Sequence, residues 1–127
     1  MRQVVAAGTA PASNGALITK ATLRAAARLG VSNRALSRIL GVSEATVSRM
    51  GSGGFVLTPR DKPYELALLF VRLFRSLDAI VGGDDGAARG WMRSENKVLG
   101  GVPAEQVQTL PGLITILGYL DARRALI

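Results

Sequence analysis

The amino-acid sequence predicts an all-α protein made of two helical parts, and three observations support this. Apolar residues recur at spacings of three and four along several stretches, which is the period of helices buried on one side. Glycine, proline and asparagine separate those stretches, as expected at helix ends and turns. No stretch of useful length alternates apolar and polar residues, so no strand is predicted. A chain of 127 residues is long enough for one or two small domains.

The N-terminal part is predicted to consist of a leader followed by a helical domain. Residues 1–18 are rich in alanine and glycine, with one charge and one proline, and we interpret them as a flexible leader. The first helix is predicted over residues 19–29, with Thr19 or Thr22 as its N-terminal cap. The domain itself is predicted over residues 19–58, and glycines near its end mark a seam with the second part.

The stretch NRALSRILGVSEATVSR, residues 33–49, predicts two helices joined by a tight turn. Gly41 suits the left-handed conformation that ends the first helix, and Ser43 can cap the second. This pattern is typical of a helix-turn-helix, in which the second helix enters the major groove of DNA. A plain corner between two helices, without a ligand, is the alternative interpretation. The apolar residues that would hold the two helices together are Ile39, Leu40, Val42 and Val47.

The exposed positions of this motif carry residue types that contact nucleic acid. Short polar groups and arginines can reach base edges and phosphates. Residues 1–62 contain nine Lys/Arg and two acidic residues, whereas residues 63–127 contain seven of each sign. The net charge of +7 therefore lies on the half with the motif, as expected for a module attracted to phosphates. The predicted DNA-binding residues are Arg34, Arg38, Ser43, Glu44, Ala45, Thr46, Ser48 and Arg49.

The second part is predicted to begin with the longest helix, which starts at Pro59 or Pro63 and ends before two glycines. Apolar residues cover more than one face of this helix, as in a helix that is central in a core or shared with a second chain. We expect part of it to form a homodimer interface, and a simply buried helix is the alternative. The main apolar stripe consists of Leu66, Phe70, Leu73, Leu77 and Ile80.

Three shorter helices are predicted to complete the second part. Asp84 and Asp85 follow two glycines, and we interpret them as a helix cap and dipole partner rather than as a catalytic pair. The helix that they open runs through Trp91, and Pro103 opens the next helix after a loop. The last helix is predicted to start at Gly112, and its buried face consists of Leu113, Ile116, Leu117 and Leu120.

Composition argues against several classes of function. The chain contains neither cysteine nor histidine, so it lacks disulfides, thiol nucleophiles and the commonest general base and metal ligand. It also lacks a phosphate-binding glycine loop and a nucleophile elbow. We therefore expect no enzyme, no catalytic residue, no metal and no cofactor. No apolar run approaches the ~20 residues that span a bilayer, and no signal-peptide pattern is present, so a cytoplasmic protein without a membrane partner is expected.

The second part carries a more specific pattern. It contains ELALLFVRLFRSLDAIVGGD, a Trp-Met pair, the motif Asn-x-x-Leu-Gly-Gly-x-Pro, and a final segment with Thr-x-x-Gly and Tyr-Leu-Asp-x-Arg. This resembles the toxin-binding domain of Xre/MbcA/ParS-type antitoxins, and the resemblance covers residues 59–127. The first part resembles the helix-turn-helix that these antitoxins carry in front of that domain. The expected fold is thus an N-terminal helix-turn-helix bundle followed by a small helical toxin-binding and dimerisation domain.

The resemblance implies a type II antitoxin that neutralises a cognate RES-domain toxin, which consumes NAD or uses it for ADP-ribosylation. It implies a homodimer that blocks the NAD pocket of the toxin and represses its own operon by binding operator DNA. A stand-alone repressor, in which the second part only dimerises, is the alternative. The toxin-binding residues that the resemblance implies are Trp91, Asn96, Leu99, Gly100, Asp121, Arg123 and Arg124.

Overall fold

The structure is a computed structural model that describes residues 13–127, and most of this range is helical. The predicted all-α class is confirmed, because the described residues contain no strand beyond one isolated antiparallel bridge between Asn96 and Gly101. The first twelve residues of the predicted leader lie outside the described residues. Residues 13–127 form seven helices: α1 (Asn14–Leu29), α2 (Asn33–Leu40), α3 (Glu44–Ser52), α4 (Lys62–Ile80), α5 (Asp85–Arg93), α6 (Pro103–Gln106) and α7 (Leu110–Arg124).

Helix α1 begins five residues before the predicted position. Ser13 is its N-terminal cap, because the Ser13 hydroxyl accepts a hydrogen bond from the Ala16 N–H at 3.0 Å. Thr19 and Thr22, the predicted caps, lie buried within the helix, and each hydroxyl donates to the carbonyl four residues earlier at 2.7 Å. The predicted boundary between leader and helix at residue 19 is therefore wrong.

The segment that follows α3 packs back onto the start of α1. The Leu57 N–H donates to the Thr19 hydroxyl at 2.9 Å, and the Leu57 side chain is buried. Gly15 makes this approach possible, because a Cβ at that position would lie 2.1 Å from the Leu57 carbonyl oxygen. The end of the predicted seam, at Leu57, therefore packs against the N-terminal part, whereas its glycines are exposed.

Helices α2 and α3 form the predicted helix-turn-helix. Gly41 ends α2 in the left-handed conformation with φ 71°, and its N–H donates to the Ser37 carbonyl. Ser43 caps α3, as predicted. Val47 is buried on the inner side of α3, where it joins Ile39 and Leu40 of α2 in the core. The helix continues to Ser52, beyond the predicted end at residue 49, because its left-handed cap is a later glycine.

Helix α4 is the centre of the fold, since it packs against α1 and α2 of the N-terminal part and against α7 of the C-terminal part. Phe70, Leu73 and Leu77 are at most 1% exposed, so these three residues form core. The centre of the stripe therefore belongs to the core of a single chain, whereas Leu68 on the same helix is 43% exposed. The homodimer interface expected on part of this helix stays a prediction. Leu66 and Ile80, at the two ends of the stripe, are partly buried against the same core.

A cluster around Arg28 connects three helices near the start of α5. The Asp84 carboxylate caps α5 by accepting from the Ala87 N–H at 3.0 Å, which confirms the predicted cap. Arg28 of α1 donates to Asp85 of α5 and to Asp78 of α4, both at 2.9 Å. Its guanidinium also lies 4.8 Å from the centre of the Phe74 ring. This cluster fixes the N-terminal part against the second part.

One hydrophobic core contains residues from both parts of the chain. On α7 the four predicted residues Leu113, Ile116, Leu117 and Leu120 are all buried, although the helix starts at Leu110 rather than at Gly112. No helix in the described range is both long enough and apolar enough to cross a membrane.

Candidate functional surfaces

Helix α3 presents a connected row of polar side chains along its exposed side. The Ser43 hydroxyl accepts from the Thr46 N–H at 3.0 Å and lies 3.0 Å from the Thr46 hydroxyl. The Thr46 hydroxyl in turn accepts from the Arg49 guanidinium at 3.2 Å. These contacts hold Arg49 along the helix surface in a defined position, from which it can contact a base edge or a phosphate.

The remaining predicted DNA-binding residues also lie at the surface. On α3, Glu44, Ala45 and Ser48 are exposed, whereas Val47 and Met50 are buried. The helix therefore has one buried side and one side of short polar residues. On α2, the predicted arginines at positions 34 and 38 are exposed. The structure thus gathers the eight predicted residues onto two neighbouring helices.

One of these residues also contacts the second part of the chain. The Arg38 guanidinium donates to the side-chain carbonyl of Gln108 at 3.3 Å. Gln108 lies between α6 and α7, and its amide donates to the Ala104 carbonyl at 3.2 Å. No local pattern indicates this contact, because the two residues are 70 positions apart.

A second candidate surface lies around the last turns of α7. The rings of Trp91 and Tyr119 stack with centroids 6.3 Å apart and an interplanar angle of 17°. The Arg123 guanidinium donates to the Tyr119 hydroxyl at 2.7 Å and lies 5.6 Å from the centre of its ring. Tyr119 therefore brings together two predicted toxin-binding residues, Trp91 and Arg123. It was not among the predicted site residues, although its spacing of four from Arg123 was a usable signal.

Two other predicted residues near the end of α7 differ in their environment. Asp121 is held within the chain, because one carboxylate oxygen accepts from the Ser76 hydroxyl at 2.6 Å and the other from Arg72. Arg124 is exposed. The tail that follows is apolar and open to solvent, with Leu126 82% and Ile127 76% exposed. Asp121 thus anchors α7 to α4, whereas Arg124 and the tail are accessible to a partner.

The predicted residues of the loop between α5 and α6 shape the loop itself. The Asn96 side chain accepts from the Leu99 N–H at 3.1 Å, and its backbone N–H donates to the Gly101 carbonyl at 2.8 Å. Gly100 adopts a left-handed conformation with φ 74°. The Gln106 side chain closes the loop by donating to the Leu99 carbonyl at 2.7 Å. These contacts connect the loop to the end of α6 rather than to the aromatic pair.

Comparison with known proteins identifies both parts of the chain. Residues 9–72 match the family described as antitoxin Xre-like helix-turn-helix domain. Residues 76–125 match the antitoxin Xre/MbcA/ParS C-terminal toxin-binding domain. The chain belongs to the Xre/MbcA/ParS antitoxin family. The predicted resemblance is therefore confirmed, and neither part of this antitoxin matches a catalytic family.

A solved structure supports the fold. The antitoxin is similar to a chain in the crystal structure of the M.tuberculosis MbcT-MbcA toxin-antitoxin complex, with a TM-score of 0.64 and 20% sequence identity. The similarity covers 87% of this chain and 96% of that chain. No curated protein matches the antitoxin. At this identity the comparison shows that the two proteins share a fold.

Proposed function

We propose that this antitoxin binds and neutralises a cognate RES-domain toxin by blocking its NAD pocket, and that as a homodimer it represses its own operon. It would act in the cytoplasm, where its operator lies. The observation that carries the toxin part is the cluster of Trp91, Tyr119 and Arg123 beside an exposed Arg124 and an apolar tail. Aromatic residues and arginine are the residue types that dominate protein interfaces.

The two arginines give this surface a means of occupying an anion site. A guanidinium forms paired hydrogen bonds with carboxylates and phosphates, so an arginine can take the place of the pyrophosphate of NAD. Tyr119 supports the proposal, because its hydroxyl and ring hold Arg123 in one orientation before binding. Ordering the side chain in advance lowers the entropy lost on association.

The test is co-expression with the toxin encoded beside this gene, followed by growth rescue and an assay of NAD consumption by the purified toxin. The variant is Arg123→Ala/Arg124→Ala, and the matched control is Arg24→Ala/Lys62→Ala, which removes two exposed charges elsewhere. Loss of two charge-assisted contacts of about 1.5–3 kcal/mol each should weaken inhibition by 100-fold or more. Full neutralisation by the Arg123/Arg124 variant would contradict the proposal. If no neighbouring gene encodes a toxin, the alternative of a stand-alone repressor is favoured.

The DNA-binding part of the proposal rests on α3 and on the charge of the N-terminal part. The row of Ser43, Thr46 and Arg49 lies on the open side of a helix whose other side is buried, and Thr46 in its middle is half-buried. This is the arrangement of a recognition helix. Arg34 and Arg38 of α2 would contact the phosphate backbone beside it. One such helix reads only a few base pairs, so we expect two copies to bind a repeated operator.

Fluorescence anisotropy with the DNA upstream of the gene tests this part. The logarithm of the affinity should fall linearly with the logarithm of the salt concentration, with a slope of about 0.9 per phosphate contact. Arg49→Ala should weaken specific binding about tenfold or more, because it removes a base or phosphate contact. Arg24→Ala is the control with the same change of charge on α1. An affinity that does not depend on salt would refute this account, and a strictly monomeric complex would refute the homodimer.

A further inference from the structure

A cleft of about 330 Å³ lies where α1, α4 and α7 meet. Apolar side chains form its inner surface, and Val71 is only 8% exposed there, whereas Leu68 remains 43% exposed. Its volume falls in the range of pockets that hold a ligand or a large side chain, roughly 300–1,000 Å³. The lining residues are Ile18, Leu68, Val71, Arg72, Arg75 and Arg124.

The polar side chains that line this cleft are all arginines. Arg72 donates to Asp121, so its charge is partly compensated. Arg75 and Arg124 are exposed, and within residues 13–127 neither forms an ion pair. Among the described residues that line the cleft, none is acidic. The inner surface of the cleft is apolar, and Arg75 and Arg124 at its rim have no acidic partner among the described residues. A ligand that is both anionic and aliphatic would complement this surface.

We propose that this cleft binds an acidic peptide segment of a partner protein. An aliphatic side chain of the peptide would pack against Leu68 and Val71, and neighbouring carboxylates would pair with Arg75 and Arg124. A nucleic acid fits the lining poorly, because its described residues include no aromatic side chain for a base to stack on. A membrane surface fits poorly because the site is concave. This site is separate from the α3 row. It shares Arg124 with the proposed toxin-binding surface, so its tests use Arg75 and Leu68, which that surface does not include.

Binding of a labelled peptide to the full chain tests the proposal. The probe is a fluorescein-labelled Gly-Asp-Glu-Leu-Glu-Asp-Gly peptide, measured by fluorescence anisotropy. Two matched probes separate the contributions: one has serine in place of the central leucine, and the other has amides in place of the carboxylates. The variants are Arg75→Glu for the rim and Leu68→Ala for the apolar surface. The control is Arg24→Glu, which makes the same charge change on another face of α1.

We expect the acidic leucine peptide to bind saturably. Arg75→Glu and Leu68→Ala should each weaken its affinity by about tenfold, whereas Arg24→Glu should change it by no more than about twofold. Both matched peptides should bind at least tenfold more weakly than the parent peptide. Three results would overturn the proposal. These are no saturable binding up to millimolar peptide, equal binding of the serine peptide, and equal loss with the control variant. Displacement of the peptide by a short single-stranded oligonucleotide or by anionic vesicles at equal charge would also overturn it.

Discussion

Replacing Asp121 tests whether this residue anchors α7 or faces a partner. The buried Ser76 hydroxyl donates to one Asp121 oxygen at 2.6 Å, and Arg72, whose side chain is 63% exposed, binds the other. A hydrogen bond to a charged group contributes about 1.5–3 kcal/mol, and an exposed ion pair adds about 0–1 kcal/mol. Asp121→Ala should therefore lower the free energy of unfolding by about 2–3 kcal/mol, even without any partner.

Thermal and urea unfolding followed by circular dichroism measure this effect. For a chain of this size, a loss of 2 kcal/mol corresponds to a decrease in melting temperature of roughly 6–8 °C. Asp121→Asn should lower the free energy of unfolding much less, because the amide oxygen can still accept a hydrogen bond from the Ser76 hydroxyl. Glu95→Ala is the matched control, since Glu95 is an exposed acid on the loop after α5. A free energy of unfolding for Asp121→Ala within about 0.5 kcal/mol of the parent would refute the anchoring role.

Further predictions concern close packing and the Arg28 cluster. Gly112→Ala would place a Cβ 1.8 Å from the Gln106 carbonyl oxygen, so it should destabilise by more than about 2 kcal/mol in urea unfolding. Gly118→Ala on the same helix meets open space and should instead stabilise by up to about 1 kcal/mol. Arg28→Met should cost about 1–3 kcal/mol in the same assay, whereas Arg24→Met should change stability by less than about 0.5 kcal/mol. Equal effects within either pair would contradict these predictions.

The features that local sequence determines were predicted correctly. Gly41 and Ser43 sit at a helix end and a helix start, where one residue decides the conformation and the cap. The buried face of α7 followed from the spacing of its apolar residues. Each of these signals lies within a few neighbouring positions, so the sequence alone was sufficient.

The errors arose where distant segments meet. Thr19 has the composition of a cap, but its hydroxyl instead connects α1 to Leu57, which is 38 positions away. The apolar pattern of α4 alone is compatible with a core or with a second copy of the chain. The packing of α1, α2 and α7 against α4 is not visible in that pattern. Asp121 was predicted to contact a partner, and its internal contacts with Ser76 and Arg72 were not predicted. Such contacts leave no periodic pattern in the chain, so sequence reasoning could not distinguish an internal contact from an external one.

The environment of Arg38 was predicted only in part. Arg38 was predicted as a DNA-binding residue from its motif, and its exposure agrees with that prediction. Its hydrogen bond to Gln108 depends on how α6 and α7 pack against α2, which no local pattern encodes. The exposure of Arg38 was therefore predictable from sequence, but its contact with the second part of the chain was not.

The core that both parts share limits how such a protein can evolve. Gene fusion and recombination exchange segments freely when each carries its own hydrophobic interior. Here α4 supplies interior residues to both parts, so a chimera joined between α3 and α4 would have to match two packing surfaces at once. A new partner specificity is thus more readily acquired by changing exposed residues at the end of α7 than by importing a foreign C-terminal half.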